Sequence, residues 1–131
     1  MSRVMAIDYG DTRTGVAFSD LSRMIVGETL VITETNAKKL AAQIAELAKS
    51  READTVILGL PRNMDGSEGF RADKTRRFAA LLPFEVIFRD ERLTSVSAHA
   101  ILRDNGKKTV KHKESVDAVA AALILESFLG S

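Results

Sequence analysis

The chain has 131 residues, 45% of them hydrophobic and 28% charged, with a formal net charge of +1 and no cysteine. Its length suits one domain over residues 1–131, large enough to bury a core without a disulfide or a structural metal. The composition excludes thiol catalysis and cysteine-based zinc sites, and the near-neutral charge means that any anionic partner must be met by a local basic patch.

The first predicted elements are strands over 3–9, 14–20 and 26–32. Within "VMAIDYGDTRTGVAFSD" the apolar run Val4 to Ile7 ends in Asp8, and a short turn bearing Gly10 and Asp11 leads to the second run, Val16 to Phe18. Such a connection predicts an antiparallel hairpin. The period then changes: Leu40, Ile44 and Leu47, with Ala37, Ala41 and Ala48, recur at helical spacing over 37–51, behind Asn36 as N-cap. "TVILGLP" (55–61) reads as a buried strand stopped by Gly59 and Pro61. A helix over 69–82 should turn Ala72, Thr75, Ala79 and Leu82 inward, and "FEVIF" (84–88) is the fifth strand. Thr94 opens a helix ending at Asn105-Gly106, and Ser115 caps a last helix over 116–129. The expected fold class is α/β: a five-stranded mixed sheet, three antiparallel strands and then two parallel ones, with helices on both faces. No cationic region followed by a long apolar stretch opens the sequence, and no apolar run reaches the roughly 20 residues that span a bilayer. A cytoplasmic protein with no membrane partner is therefore expected.

Four acids have settings that ask for an explanation. Asp8 ends a core strand, Asp90 and Glu91 follow the strand "EVIF", and Asp117 lies in the first turn of the last helix. On that helix Asp117 shares a face with Ala120, Ala121, Ile124 and Phe128, a face that belongs against the sheet. Each acid also has a plain reading, as a helix-dipole partner for Asp117 or as solvated loop charges for Asp90 and Glu91. Together they gather where ligands collect in open α/β sheets, beyond the carboxyl ends of the strands. Carboxylates without histidine or cysteine suit a hard cation, Mg²⁺ or Mn²⁺, and one or two such ions support phosphoryl chemistry.

Two stretches are basic. "GLPRNMDGSEGFRADKTRRF" (59–78) offers Arg62, Asn63, Ser67 and Arg71 to phosphate, with backbone amides near Gly66 and Gly69; Arg76 and Arg77 extend that surface. It is not a Walker loop, since G-x-x-x-x-G-K-[ST] is absent. "GKKTVKHKES" (106–115) offers Lys107, Lys108 and Lys111 to a nucleic-acid backbone. An ordinary polar loop and solvated charges are the plain alternatives for both. His99 reads as structural, His112 is disfavoured as a base by its lysine neighbours, and Tyr9 and Phe88 read as core.

The blocks "AIDYGDTRTGVAFSD", "VILGLPRNMDGSEGFRA", "DERLTS" and "VDAVAAALIL", in that order and across nearly the whole chain, resemble the bacterial YqgF-type proteins, named as pre-16S rRNA nucleases or Holliday junction resolvase-like proteins. The resemblance implies an RNase H-like fold related to the RuvC resolvases, in agreement with the mixed sheet. It implies a metal-dependent nuclease in which Asp8, Glu91 and Asp117 are the catalytic, metal-binding acids and Asp90 a possible additional one. In this fold the second acid often ends the strand beside the first; here that strand ends "GLP", so "DER" must supply it, and Asp90 and Glu91 both stay open. The implied substrates are precursor small-subunit rRNA, trimmed at its 5′ end in ribosome biogenesis, with a pre-ribosomal particle as partner, or branched DNA. The chain would act as a monomer or, for symmetric junction cutting, a homodimer. Two rivals stand beside this reading. The first block also resembles the phosphate hairpin of actin-like and sugar-kinase ATPases, but those bind nucleotide between two such domains. A non-catalytic factor that binds rRNA or the ribosome would use the acids structurally.

Overall fold

The computed structural model describes residues 2–91 and 112–130. Its elements are β1 (Arg3–Asp8), β2 (Arg13–Ser19), β3 (Val26–Thr33), α1 (Ala37–Ser50), β4 (Ala53–Leu60), α2 (Phe70–Ala79), β5 (Ile87–Asp90) and α3 (His112–Leu129). The helix expected from Thr94 to Asn105-Gly106, with His99, and the lysines Lys107, Lys108 and Lys111 lie outside the described residues. The described residues contain no helix long and apolar enough to cross a membrane.

The five strands form one sheet in the order β3-β2-β1-β4-β5. β1 pairs antiparallel with β2, and β2 with β3; β1 pairs parallel with β4, and β4 with β5. This is the expected mixed sheet. Side chains alternate between its two faces. Met5, Ile7, Val16, Phe18, Val56 and Leu58 turn to one face and pack with Leu40, Ala41 and Ile44 of α1 and with Phe78 of α2. Val4, Ala6, Ala17 and Ile57 turn to the other and meet Ala121, Ile124 and Leu125 of α3. Ile124 and Leu125 are fully buried, each worth about 1.5–3 kcal/mol of transfer free energy.

Asn36 caps α1 as expected, its side-chain carbonyl accepting from the Lys39 N–H at 3.0 Å. Tyr9 and Phe88 are partly buried against the core, Tyr9 stacking on Phe78 with ring centroids 4.4 Å apart. Three boundaries differ from expectation. α2 ends at Ala79, although Leu82 is buried beyond it. The strand expected at 84–88 is paired only over Ile87–Asp90. Phe84 and Val86 pack on the core without joining the ladder, whose register with β4 runs from Ile57↔Ile87 to Leu60↔Asp90. Asp90 is thus the last residue of a strand, not the first of a loop. α3 begins at His112, ahead of Ser115, so Ser115 is not its cap and Asp117 lies beyond the first turn. That distance weakens the helix-dipole account of Asp117, because the dipole's effect fades within one turn.

Candidate active site

Alternation along the strands decides which side chains meet. Asp8 follows Val4 and Ala6 onto the α3 face, and its ladder partner on β2 is Gly15. A Cβ on Gly15 would lie 2.1 Å from the carbonyl oxygen of Asp117 and 2.6 Å from its carbonyl carbon. The backbone of α3 therefore rests directly on Gly15, beside Asp8. Gly59 serves the same face from β4: a Cβ there would lie 2.7 Å from Ile124 Cδ1 and 2.8 Å from Glu91 Cγ. The two glycines clear the space through which α3 and Glu91 reach the edge where Asp8 stands.

Glu91, just past β5, is the acid that meets Asp8; their carboxyl groups are in hydrogen-bond contact. Burial, then the hydrogen bond and charge of Glu91, raise the Asp8 carboxyl well above the usual carboxylate range, while the Arg71 guanidinium pulls it the other way. Asp90 turns elsewhere, with the Arg62 guanidinium 4.0 Å from its carboxylate. Asp117 arrives at the same edge on α3, where its Oδ2 accepts from Arg13 Nε at 3.2 Å. Asp8 and Glu91 are thus together and Asp117 is paired with Arg13; among the described residues no three acidic or imidazole side chains converge as a metal site.

The expected phosphate-contacting residues occupy a loop that is largely self-bonded. Arg62 donates to the Gly66 carbonyl at 3.3 Å and lies 3.6 Å from Glu68. Asn63 Nδ2 donates to Ser67 Oγ at 3.0 Å, and Gly66 sits in the left-handed region with φ 90°. Arg76 pairs with Glu68 and Arg77 with Asp73, while Lys74 reaches across to Asp11. Arg71 is the member of this set that faces Asp8.

Two clefts meet at the start of α2. One of about 90 Å³ runs between Tyr9, Gly10 and Asp11 on the hairpin and Arg71 and Lys74 on the helix; the other, about 340 Å³, is lined by Arg62, Asn63, Gly69 and Arg71. Phe70 borders both and is 76% exposed. Sequence reasoning passed over this residue, because an aromatic in a helix ordinarily signals core. An aromatic directly before a basic residue, at the exit of a glycine-rich loop, was the available signal.

Residues 2–131 match the RuvX family, described as "Holliday junction resolvase". A protein of Endomicrobium trichonymphae named "Putative pre-16S rRNA nuclease" is 38% identical over 134 residues, covering 98% of this chain and 96% of that one. One of the same name from Acetivibrio thermocellus is 41% identical over 135 residues, covering 98% and 96%. Among solved structures, Thermus thermophilus RuvC in complex with a Holliday junction substrate superposes with a TM-score of 0.59 at 14% identity, covering 100% of this chain and 98% of that one. The fowlpox virus Holliday junction resolvase superposes with a TM-score of 0.59 at 16% identity, covering 98% of each. At such identities these two structures establish the shared RNase H-like, RuvC-type fold.

Proposed function

The chain belongs to the RuvX family, and on that premise we propose that it is an endonuclease that hydrolyses phosphodiester bonds in the 5′-end maturation of precursor small-subunit rRNA. The observation that carries this reading is the Asp8–Glu91 carboxyl pair at the sheet edge, with Arg71 facing it. Relatives at 38% and 41% identity, named as nucleases of precursor 16S rRNA, supply the substrate. A surface that carries Arg71 beside an exposed aromatic suits nucleic acid, since guanidinium groups take phosphate and rings stack on unpaired bases.

The donor set fits a hard divalent cation. It is made of carboxylate oxygens, and burying two touching carboxyls raises the cost of ionising Asp8, a cost that a cation would relieve. Asp8 and Glu91 would hold Mg²⁺ or Mn²⁺, with Asp117 completing the set from α3. Bound there, the ion supplies charge stabilisation and a more acidic water. The chain's own residues do the rest. Arg71 draws a phosphate toward the acids, Phe70 takes a base that leaves the stack, and Gly15 and Gly59 hold α3 and Glu91 at working distance. The work would take place in the cytoplasm, on rRNA within a pre-ribosomal particle.

A second reading, cutting of four-way DNA junctions, is favoured by the description of the matched family. Cleavage of precursor rRNA and of a four-way junction, side by side in Mg²⁺, Mn²⁺ or EDTA, separates the two. Metal-dependent cutting abolished by Asp8→Asn with folding retained is expected. A wild-type chain that binds both substrates and cuts neither is a binding factor.

A further inference from the structure

Arg13 opens β2, two residues before Gly15, and so turns to the α3 face where Asp8 and Glu91 meet. Its backbone is tightly held. The Gly10 N–H donates to Thr14 Oγ1 at 3.3 Å, Thr14 Oγ1 donates to the Gly10 carbonyl at 3.4 Å, and Thr14 is fully buried. The Arg13 carbonyl lies against Gly10 so closely that a Cβ there would be 2.2 Å from its oxygen. From this fixed base the guanidinium reaches Asp117 through Nε alone, at 3.2 Å. Among the described residues Asp117 is its one side-chain partner, and that contact uses one of the five donors of the fork.

The pair is a poor stabilising device. Its side chains are 33% and 25% exposed, and ion pairs that open to solvent contribute little to folding. The neighbouring cations are committed to acids: Arg62 to Glu68, Lys74 to Asp11, Arg76 to Glu68 and Arg77 to Asp73. Arg13 is held by its own acid through Nε alone, two residues along β2 from Gly15, the ladder partner of Asp8, while Arg71 acts on Asp8 from α2. A guanidinium steered by a carboxylate at Nε presents its Nη edge as a unit, the geometry that takes two oxygens of one phosphate.

We propose that Arg13 grips the phosphate that is cut, on the α3 side of Asp8, and that Asp117 sets its orientation through Nε. This rests on the nuclease reading above. Arg13 is then a substrate-contacting residue, and the Arg13–Asp117 pair joins the hairpin to α3 for the sake of the substrate.

The test uses the full chain and two probes, a labelled single-stranded RNA and a labelled four-way DNA junction. Binding is measured in EDTA over a salt series, and cleavage in Mg²⁺, for wild type, Arg13→Gln, Arg13→Lys and the remote control Lys49→Gln on the exposed end of α1. Arg13→Gln is expected to weaken binding and lower the slope of log affinity against log salt by about 1, the loss of one phosphate contact. Arg13→Lys should restore the slope and leave kcat reduced, because an ammonium carries the charge without the fork. Lys49→Gln should change neither. Unchanged affinity, slope and kcat in Arg13→Gln overturn the proposal and leave the nuclease reading standing. Full kcat in Arg13→Lys overturns the fork. Wild-type binding without cutting defeats the nuclease reading while the slopes still decide the phosphate contact, and wild type that binds neither probe overturns both.

Discussion

The carbonyl of Asp117 rests on Gly15, so close that a single methyl group there would lie 2.1 Å from its oxygen. Because Gly15 is also the ladder partner of Asp8, one glycine fixes how near the last helix comes to the first-strand acid. Gly15→Ala must lift α3, since the three atoms nearest the new methyl are backbone atoms of Asp117 and Ala118. A loss of about 1–3 kcal/mol is expected, read as a fall of several degrees in Tm. At Gly59 the nearest atoms are the side chains of Ile124 and Glu91, which can shift. Gly59→Ala should therefore cost less stability and more activity, and comparing Tm with kcat for the two variants checks the difference.

Glu91 and Asp90 are neighbours with opposite directions. Glu91→Gln removes the partner of Asp8 and should lower kcat by about 100-fold or more, the scale of losing one group that stabilises developing charge. Asp90→Asn weakens a 4.0 Å approach to Arg62 on the side away from Asp8 and should leave kcat within about threefold. Single-turnover cleavage by the two variants tests this assignment.

The raised Asp8 carboxyl makes stability depend on pH with a defined sign. Folded, the group binds its proton more tightly than unfolded, so the folded state holds more protons between the two values and stability falls as pH rises. The favourable contribution is complete below the unfolded value of about 3.9 and is lost as pH climbs through the raised folded value. In EDTA, Tm should decline over that window, and Asp8→Asn should flatten the decline. Added Mg²⁺ should stabilise more at higher pH, because cation binding requires the ionised carboxylate. Thermal unfolding at a series of pH values, with and without Mg²⁺, measures all three.

Phe70 is 76% exposed, so Phe70→Ala should leave Tm nearly unchanged. If the ring stacks on one base, affinity for single-stranded RNA should fall by about 5- to 150-fold, the range for one aromatic–base stack. Fluorescence anisotropy in EDTA gives the affinity free of turnover. An unaltered affinity removes Phe70 from the interface.

Much of this architecture was legible because it is written in short periods. The alternation of Val4, Ala6 and Asp8 gave β1 its two faces, and the spacing of Leu40, Ile44 and Ala48 gave α1 its buried stripe. What depended on distant segments was not. Nothing near Gly15 announces that a helix from the other end of the chain will rest on it. The choice between Asp90 and Glu91 turns on where the β4–β5 ladder begins, and the alternation of Phe84, Val86 and Phe88 looks the same whether or not the first two are paired. The place of Asp117 on the sheet-side face of the last helix asks for a partner, but that partner, Arg13, lies 104 residues away in the first hairpin, where no local pattern marks it.

The two faces of the sheet are covered unequally: α1 and α2 share one, and among the described residues α3 alone holds the other. α3 lies against β1, β2, β3 and β4 and seals a core in which Val4, Ala6, Ala17, Ile57, Ile124 and Leu125 are fully buried. Lifting it would uncover that whole face, a cost that ties its release to unfolding of the sheet. The helix that carries Asp117 is thus also a structural wall, and activity should persist on heating until the fold itself gives way.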